Sequence, residues 1–351
     1  MAPSAFPLLP ITSSRTLRWI EAMEPGDRSV FIASYPKSGT TWLQYIVWQI
    51  VAAHRESTGG PPLDLAHISD FAPFLEADRT WEDGRVADPA ASFQRAAGFA
   101  CFNTHLLHHM LPPASGAGSR AKIIYVSRAP ADVCTSFWHH LSHQAVEDGG
   151  YASELPASVD DWLGGKIAFG AWRPHVGTRA HHVAPRGNHA LHIPSRWQAP
   201  RTQWHARSVA SGSWLAAAAS DSRVLVLTYE KLKSDLLGCV RHVADHIDCG
   251  GLRDEQLQEI LPRLSAEYMR ENLKVFAPKS VRWVERGDGF TFVRKVRPAL
   301  SFAPDCIVSL PVISLRMYAL LYATGLWSDL TDFPPMLPKN PNASRLFPRA
   351  G

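Results

Sequence analysis

No run of apolar residues in this chain is long and uninterrupted enough to span a bilayer. The first ten residues carry three prolines and no basic side chain, so they lack the charged start of a signal peptide. The apolar stretch from Ile307 to Leu326 contains Pro311 and Arg316 and reads as a buried helix. These absences predict a soluble, cytoplasmic protein. Cysteine is scarce: there are five, at Cys101, Cys134, Cys239, Cys249 and Cys306, and none forms a C-x-x-C pair. That spacing gives no zinc ribbon and no thioredoxin-type redox motif. Cys101, Cys134 and Cys239 sit in apolar patterns and are expected to be buried thiols in a reducing compartment. Charge of one sign is also lacking. With 36 basic and 32 acidic residues the net charge is +4, too small an excess to argue for nucleic acid. A local basic site for an anionic ligand accounts for it. No internal repeat is visible.

What the chain has is an ordinary globular composition, 46% hydrophobic and 19% charged over 351 residues, with ample material for a core. Short apolar, β-rich runs at 29–34, 98–104, 122–127 and 223–228 alternate with helical patterns at 40–55, 131–141 and 234–247. Strands separated by helices predict an α/β fold, a central parallel sheet flanked by helices. Ligands of such sheets bind beyond the carboxyl ends of the strands. Residues 177–212 differ: they are rich in His, Arg, Pro and Ser without steady periodicity, and read as an irregular insertion. Their histidines have no metal-ligand spacing, so no metal is expected. The expected organisation is an N-terminal extension over 1–28, one domain over 29–330 carrying that insertion, and a Pro- and Asn-rich tail over 331–351.

The chemistry begins where the first strand ends. Val30 to Ala33 feeds Tyr35-Pro36-Lys37-Ser38-Gly39-Thr40-Thr41-Trp42, and a long helical pattern follows at once. A strand, a tight turn and a helix N-terminus present unsatisfied backbone N–H groups and the positive end of a helix dipole, which suits a phosphate. Lys37 can reach an anionic oxygen, and Thr40 and Thr41 can donate at the helix start. The loop is P-loop-like but lacks the first glycine and the Gly-Lys-Ser order of a Walker A site. A second strand, Lys122 to Ser127, ends at Arg128, and Pro130 and Asp132 open a helix that carries Ser136. Arg128 is placed to hold a second phosphate bidentately, although alone it would be a simple ion-pair residue. His105 ends the apolar run Phe102-Asn103-Thr104 at the same sheet edge, where a neutral imidazole suits removal of a proton. A lone histidine there is more often structural. His108 and His109 read as surface residues.

Together these residues resemble the cytosolic sulfotransferase family, whose 5′-phosphosulfate loop reads Tyr-Pro-Lys-Ser/Thr-Gly-Thr-Thr-Trp. Tyr35 to Trp42 match it throughout, and Arg128 with Ser136 matches the spacing of the family's 3′-phosphate element. Pro73-Phe74-Leu75-Glu76, Gly170-Ala171-Trp172 with His175-Val176, Val226 to Lys233, and Phe292-Val293-Arg294-Lys295 resemble further family segments in order. The resemblance implies the sulfotransferase form of the P-loop-like nucleotide-binding fold, with 3′-phosphoadenosine-5′-phosphosulfate (PAPS) as co-substrate and no metal. It implies in-line transfer of a sulfuryl group to a hydroxyl or amine of a small acceptor. His105 would be the base, because the family's base lies in Lys-Thr-His. Lys37 would neutralise charge on the leaving phosphate, and Ser38, Gly39, Thr40 and Thr41 would hold the 5′-phosphate. Arg128, Ser136, Arg294 and Lys295 would hold the 3′-phosphate, and Trp42 and Tyr229 the adenine.

The chain departs from the family at Asn103, where lysine is common, and at Val296, which replaces a glycine after Arg-Lys. Leu264-Ser265-Ala266 stands where Thr-Ser-Phe is frequent, and Arg297-Pro298-Ala299-Leu300 replaces Gly-Asp-Trp-Lys. A homodimer stays open, since no clear copy of the family's short dimerisation motif is present. Two alternatives remain: a non-catalytic protein that binds PAPS or its product 3′-phosphoadenosine-5′-phosphate (PAP), and a P-loop kinase, which the missing Walker A order disfavours. Phe71, Phe74 and Trp81 read equally as an apolar acceptor pocket or as core.

Overall fold

Four short apolar runs pair side by side to make the sheet on which the site is built. The computed structural model describes residues 6–112, 120–151, 153–177, 213–287 and 290–293. In chain order the elements are α1 (Ser14–Glu21), β1 (Ser29–Ser34), α2 (Thr40–Ser57), α3 (Ile68–Phe71), β2 (Trp81–Glu82), β3 (Arg85–Val86), α4 (Ala90–Ala97), β4 (Ala100–Thr104), β5 (Lys122–Ser127), α5 (Pro130–Ser142), α6 (Leu155–Leu163), α7 (Trp172–Val176), α8 (Trp214–Ser220), β6 (Val224–Thr228), α9 (Tyr229–Ser234), α10 (Leu236–His246), α11 (Asp254–Arg263), α12 (Ala266–Glu271) and α13 (Leu273–Phe276).

The four strands lie in the order β4-β1-β5-β6, and every neighbouring pair is parallel. The chain moves from β1 outward to β4 and then crosses to β5 on the other side. The C-terminal end of β1 is therefore the point where strand order reverses, the position at which open α/β sheets bind ligands. Every residue of β1 is buried. Alternation sends Val30 and Ile32 to one face and Phe31 and Ala33 to the other. On the first face they meet Leu43, Ile46 and Ile50 of α2 and Val240 and Val243 of α10. On the second, Phe31 stacks on Phe102 at 5.6 Å, above Tyr125, Phe137 and Trp214.

Residues 6–28 pack on this second face through Leu9 and Ile20. Asp78 fastens α1 by accepting the Ser13 N–H at 2.7 Å and the Thr16 hydroxyl at 2.6 Å. The strands expected at 29–34 and 122–127 have the expected bounds. The one expected from residue 98 starts at Ala100, because Gly98 adopts a left-handed φ of 59° to cap α4. The helix expected over 234–247 is α10, which starts at Leu236 because Asp235 caps it by accepting the Gly238 N–H at 3.0 Å, while Ser234 ends α9. Cys101, Cys134, Cys239 and Cys249 are buried free thiols. No helix among the described residues is long and apolar enough to cross a membrane. The insertion beyond Gly177, the apolar stretch 307–326, the tail, Cys306 and the expected binding residues Arg294 and Lys295 lie outside the described residues.

Candidate active site

The loop after β1 is folded by its own residues. The Ser38 N–H donates to Tyr35 O at 3.3 Å, and Lys37 (φ 67°) and Gly39 (φ 107°) both take left-handed backbone. Such alternation turns successive N–H groups to one side, forming an anion-binding nest. At Gly39 no side chain fits: an added Cβ would lie 2.8 Å from Cδ2 of Tyr229. Gly39→Ala is therefore expected to destabilise the protein by about 2 kcal/mol or more, through positive φ and overpacking together. Thermal unfolding reads it directly. Gly98→Ala is the control, since an added Cβ at that positive φ meets nothing within 4 Å and should cost distinctly less.

Thr40 opens α2; its hydroxyl is 2.5 Å from the Ser34 hydroxyl, and its backbone N–H, in the first turn, has no intrahelical acceptor. The Ser38 hydroxyl is buried without a hydrogen-bond partner. Lys37 lies 4.2 Å over the Phe292 ring, with Nζ 3.4 Å from Nδ1 of His140.

Arg128 leaves the end of β5 and reaches the same loop. Its Nη1 donates to Lys37 O at 3.1 Å, its Nη2 is 3.4 Å from Asp132 in the first turn of α5, and its guanidinium lies 4.5 Å over Tyr229. Its Nε is buried with no partner. Ser38 Oγ and Arg128 Nε are thus two buried donors that the protein leaves unsatisfied beside the loop; Arg128 lines the cavity, whereas Ser38, named from sequence, does not. Trp42 donates from Nε1 to Leu264 O at 2.8 Å and meets Tyr229 edge-on at 5.5 Å.

His105 stands just past β4. Its Nδ1 is 2.9 Å from Ser34 O, a bond that requires the proton on Nδ1 and leaves Nε2 with its lone pair. Its backbone is held on both sides. Its N–H donates to Oε1 of Glu76 at 2.5 Å, and its carbonyl accepts from Nε2 of His175 at 2.9 Å. His175 in turn accepts the Tyr125 hydroxyl at 3.1 Å. Burial, with the nearby Lys37 charge adding to it, lowers the His105 pKa to about 4, so the ring is neutral at pH 7. Burial also lowers His175 to about 3 and pushes the Glu76 carboxyl up to about 8.

One cavity of about 600 Å³ runs from Thr41 and Trp42 past Lys37 and Arg128 to His105, Phe74 and Phe169. It brings together Lys37, Gly39, Thr40, Thr41, Trp42, Arg128, Ser136, Tyr229 and His105, all named from sequence. The three aromatics left open are sorted by the fold. Phe74 lines the cavity, whereas Phe71 and Trp81 belong to the core, the latter donating to Leu75 O at 2.8 Å. His108 is not a simple surface residue: it lies 3.4 Å from Asp221 and edge-on to Trp214, while His109 is exposed. Glu76, His140, His175, Phe169 and Phe292 are site residues that sequence reasoning gave no role. For Glu76 a signal existed, a carboxylate directly after the apolar Phe74-Leu75.

The fold and the site define a class: α/β proteins that hold an anionic ligand on a P-loop-like turn at the switch point of a parallel sheet. The Sulfotransferase domain family matches residues 27–192 and 197–296, more than half of the chain, and the protein belongs to that family. It is 29% identical over 265 residues to luciferin sulfotransferase of Photinus pyralis, covering 73% of this chain and 60% of that protein. Cytosolic sulfotransferase 12 of Arabidopsis thaliana is 27% identical over 257 residues, 72% of this chain and 65% of that one. The chain thus spans slightly under two thirds of these relatives' lengths. Among solved structures, a retinol dehydratase in complex with retinol and PAP has the same fold, with 18% identity, a TM-score of 0.53, and 93% of this chain and 89% of that chain covered.

Proposed function

We propose that the protein transfers a sulfuryl group from PAPS to a hydroxyl or amine of a small, apolar acceptor in the cytoplasm. The observation that carries this reading is the fixed tautomer of His105. The Nδ1–H on Ser34 O leaves Nε2 to take a proton, in the cavity whose other end is the phosphate-type loop. Family membership and relatives named as sulfotransferases support the donor.

In this reading the acceptor oxygen or nitrogen bonds to sulfur as the sulfur–oxygen bond to the phosphate breaks. The acceptor proton goes to Nε2 of His105, and PAP leaves. Ser38 and the N–H groups of Gly39, Thr40 and Thr41 hold the 5′-phosphate. Lys37 balances the charge that builds on the leaving phosphate. Arg128 and Ser136, with Arg294 and Lys295, hold the 3′-phosphate, and Trp42 and Tyr229 hold the adenine. Phe74, Phe169 and Phe137 give the acceptor end of the cavity its apolar wall.

Asn103 favours a second reading, a protein that binds PAP or PAPS without catalysis. Its Nδ2 donates to Ala72 O at 2.6 Å and supplies no positive charge to a transferring group. Transfer of labelled sulfate from PAPS across phenols, sterols, alcohols and amines decides between the two. PAP binding with no transfer to any acceptor would establish the second, and a preference for ATP over PAP would remove both. Arg128→Ala is expected to weaken PAP by about 10- to 100-fold, the range of a lost charge-assisted contact, and adenosine 5′-phosphosulfate far less. Equal losses by calorimetric titration would show that Arg128 does not contact a 3′-phosphate.

A further inference from the structure

Phe169 has φ 66°, a left-handed backbone that is a genuine outlier for a bulky aromatic residue and that glycine or asparagine adopts far more readily. Outliers of this kind persist where the surroundings over-determine them, and they cluster at functional sites. The surroundings here are specific. The Phe169 N–H donates to Pro7 O at 2.6 Å, the Gly170 N–H donates to Ile167 O at 3.1 Å, and Gly170 O accepts the hydroxyl of Tyr35 at 2.8 Å. Tyr35 begins the phosphate-type loop, so the strained turn is tied directly to it. The left-handed turn leaves the Phe169 ring edge-on to the His105 imidazole, 5.2 Å between centroids at 72°. Phe6 backs the same ring at 6.3 Å, and Phe74 closes on His105 from another direction at 5.5 Å.

We infer that Phe169 is a positioning residue for the base: its strained turn sets an aromatic edge against His105, fixing the imidazole plane and screening that side of the ring from water. This rests on the reading of His105 as the base. The ionisable groups around His105 are Glu76 at its N–H, His175 at its carbonyl, and Lys37 and His140 across the cavity, while the neutral Ser34 carbonyl accepts from Nδ1. None supplies a negative charge that would keep the ring protonated, because Glu76 is itself neutral at pH 7. Partial burial is thus the main cause of the lowered pKa, and the Phe169 ring covers one side of the imidazole.

Phe169→Leu keeps apolar volume and removes the aromatic edge. The histidine Cε1 signals, followed by NMR in labelled full-length protein, are expected to show His105 titrating about 1 pH unit or more higher than in the wild type. The acid limb of kcat should move with it. At pH 7 kcat should fall about tenfold through loss of orientation, with PAP affinity kept within about twofold. Phe6→Ala, which unbacks the ring without altering the strained residue, should move both readouts in the same direction by less, and it carries the test if Phe169→Leu does not fold. An unchanged His105 titration and an unchanged pH profile in these variants, with His105→Ala inactive, would overturn the inference. Full transfer by His105→Ala would instead overturn the base reading, and the titration, which needs no turnover, would still decide whether Phe169 shields the ring.

Discussion

His105→Ala is expected to lower the proposed sulfuryl transfer at pH 7 by about 10²- to 10⁴-fold, the range supplied by a positioned general base, with PAP binding kept within about twofold of the wild type. The side chain ends in a lone pair on Nε2 and holds no described contact to the loop that would bind PAP, apart from its bonds to Ser34. The pH profile of the wild type is expected to carry the same signature. A base must be neutral to accept a proton, and burial lowers the His105 pKa to about 4. Activity controlled by this group is therefore flat from neutral pH down to about pH 5 and is lost as pH falls through about 4. An acid limb centred near 6.5, the ordinary value for histidine, would point to a hydrated ring or to a different base. The shift has a counterpart in stability. Between the unfolded value near 6.5 and the folded value of about 4, the unfolded chain binds more protons, so stability rises with pH across that window and is lost as pH falls through it. Burial lowers His175 to about 3, and it acts in the same direction. Full transfer activity in His105→Ala would remove the base assignment.

Lys37→Met is the second large effect. It is expected to lower kcat about 10²- to 10³-fold, the loss typical of removing one pre-aimed electrostatic donor, with a smaller loss of PAP affinity. The backbone already favours this outcome. Lys37 sits in left-handed backbone within a nest, so its ammonium leaves the loop in a direction set by the turn, against the ring of Phe292 and Nδ1 of His140. Lys37→Arg is not expected to restore the rate, because the planar guanidinium cannot replace a compact ammonium in a contact built for a point charge. Single-turnover rates with saturating donor separate this from binding. A rate within about threefold of wild type for Lys37→Met would place the compensating charge on another residue.

Much of this could be read from residues that are neighbours in the chain. The runs at 29–34 and 122–127 were legible to the residue because both faces of each strand are buried, which leaves an unbroken apolar signal. The loop from Tyr35 to Trp42 was legible because its chemistry is local: one glycine, one lysine and a helix start. Arg128 and His105 could be placed at the same edge once the strands were taken as parallel. What sequence could not supply is packing between distant segments. Phe71, Phe74 and Trp81 are one residue class, and only the fold divides them between cavity and core. The apolar Phe74-Leu75 before Glu76 hints that this carboxylate is not on the surface, but its partner, the His105 N–H, becomes visible only in the fold. His140 reads as one of two histidines late in a helix until Lys37 is found beside it. Phe169 carries no sequence signal of its left-handed backbone, since nothing about a phenylalanine announces one.

The position of β1 in the sheet has a consequence for how the molecule breathes. Its backbone is bonded to β4 on one side and to β5 on the other, and none of its side chains reaches water. Amides in such a strand exchange with solvent only through openings that disrupt the sheet as a whole. The loop that carries Lys37 and Gly39 therefore hangs from one of the two inner strands, β1 and β5, whose amides are expected to open last among the described residues. Fraying of the outer strands β4 and β6 can proceed while the nest keeps its form, and the proposed phosphate cradle is dismantled only when the sheet itself comes apart.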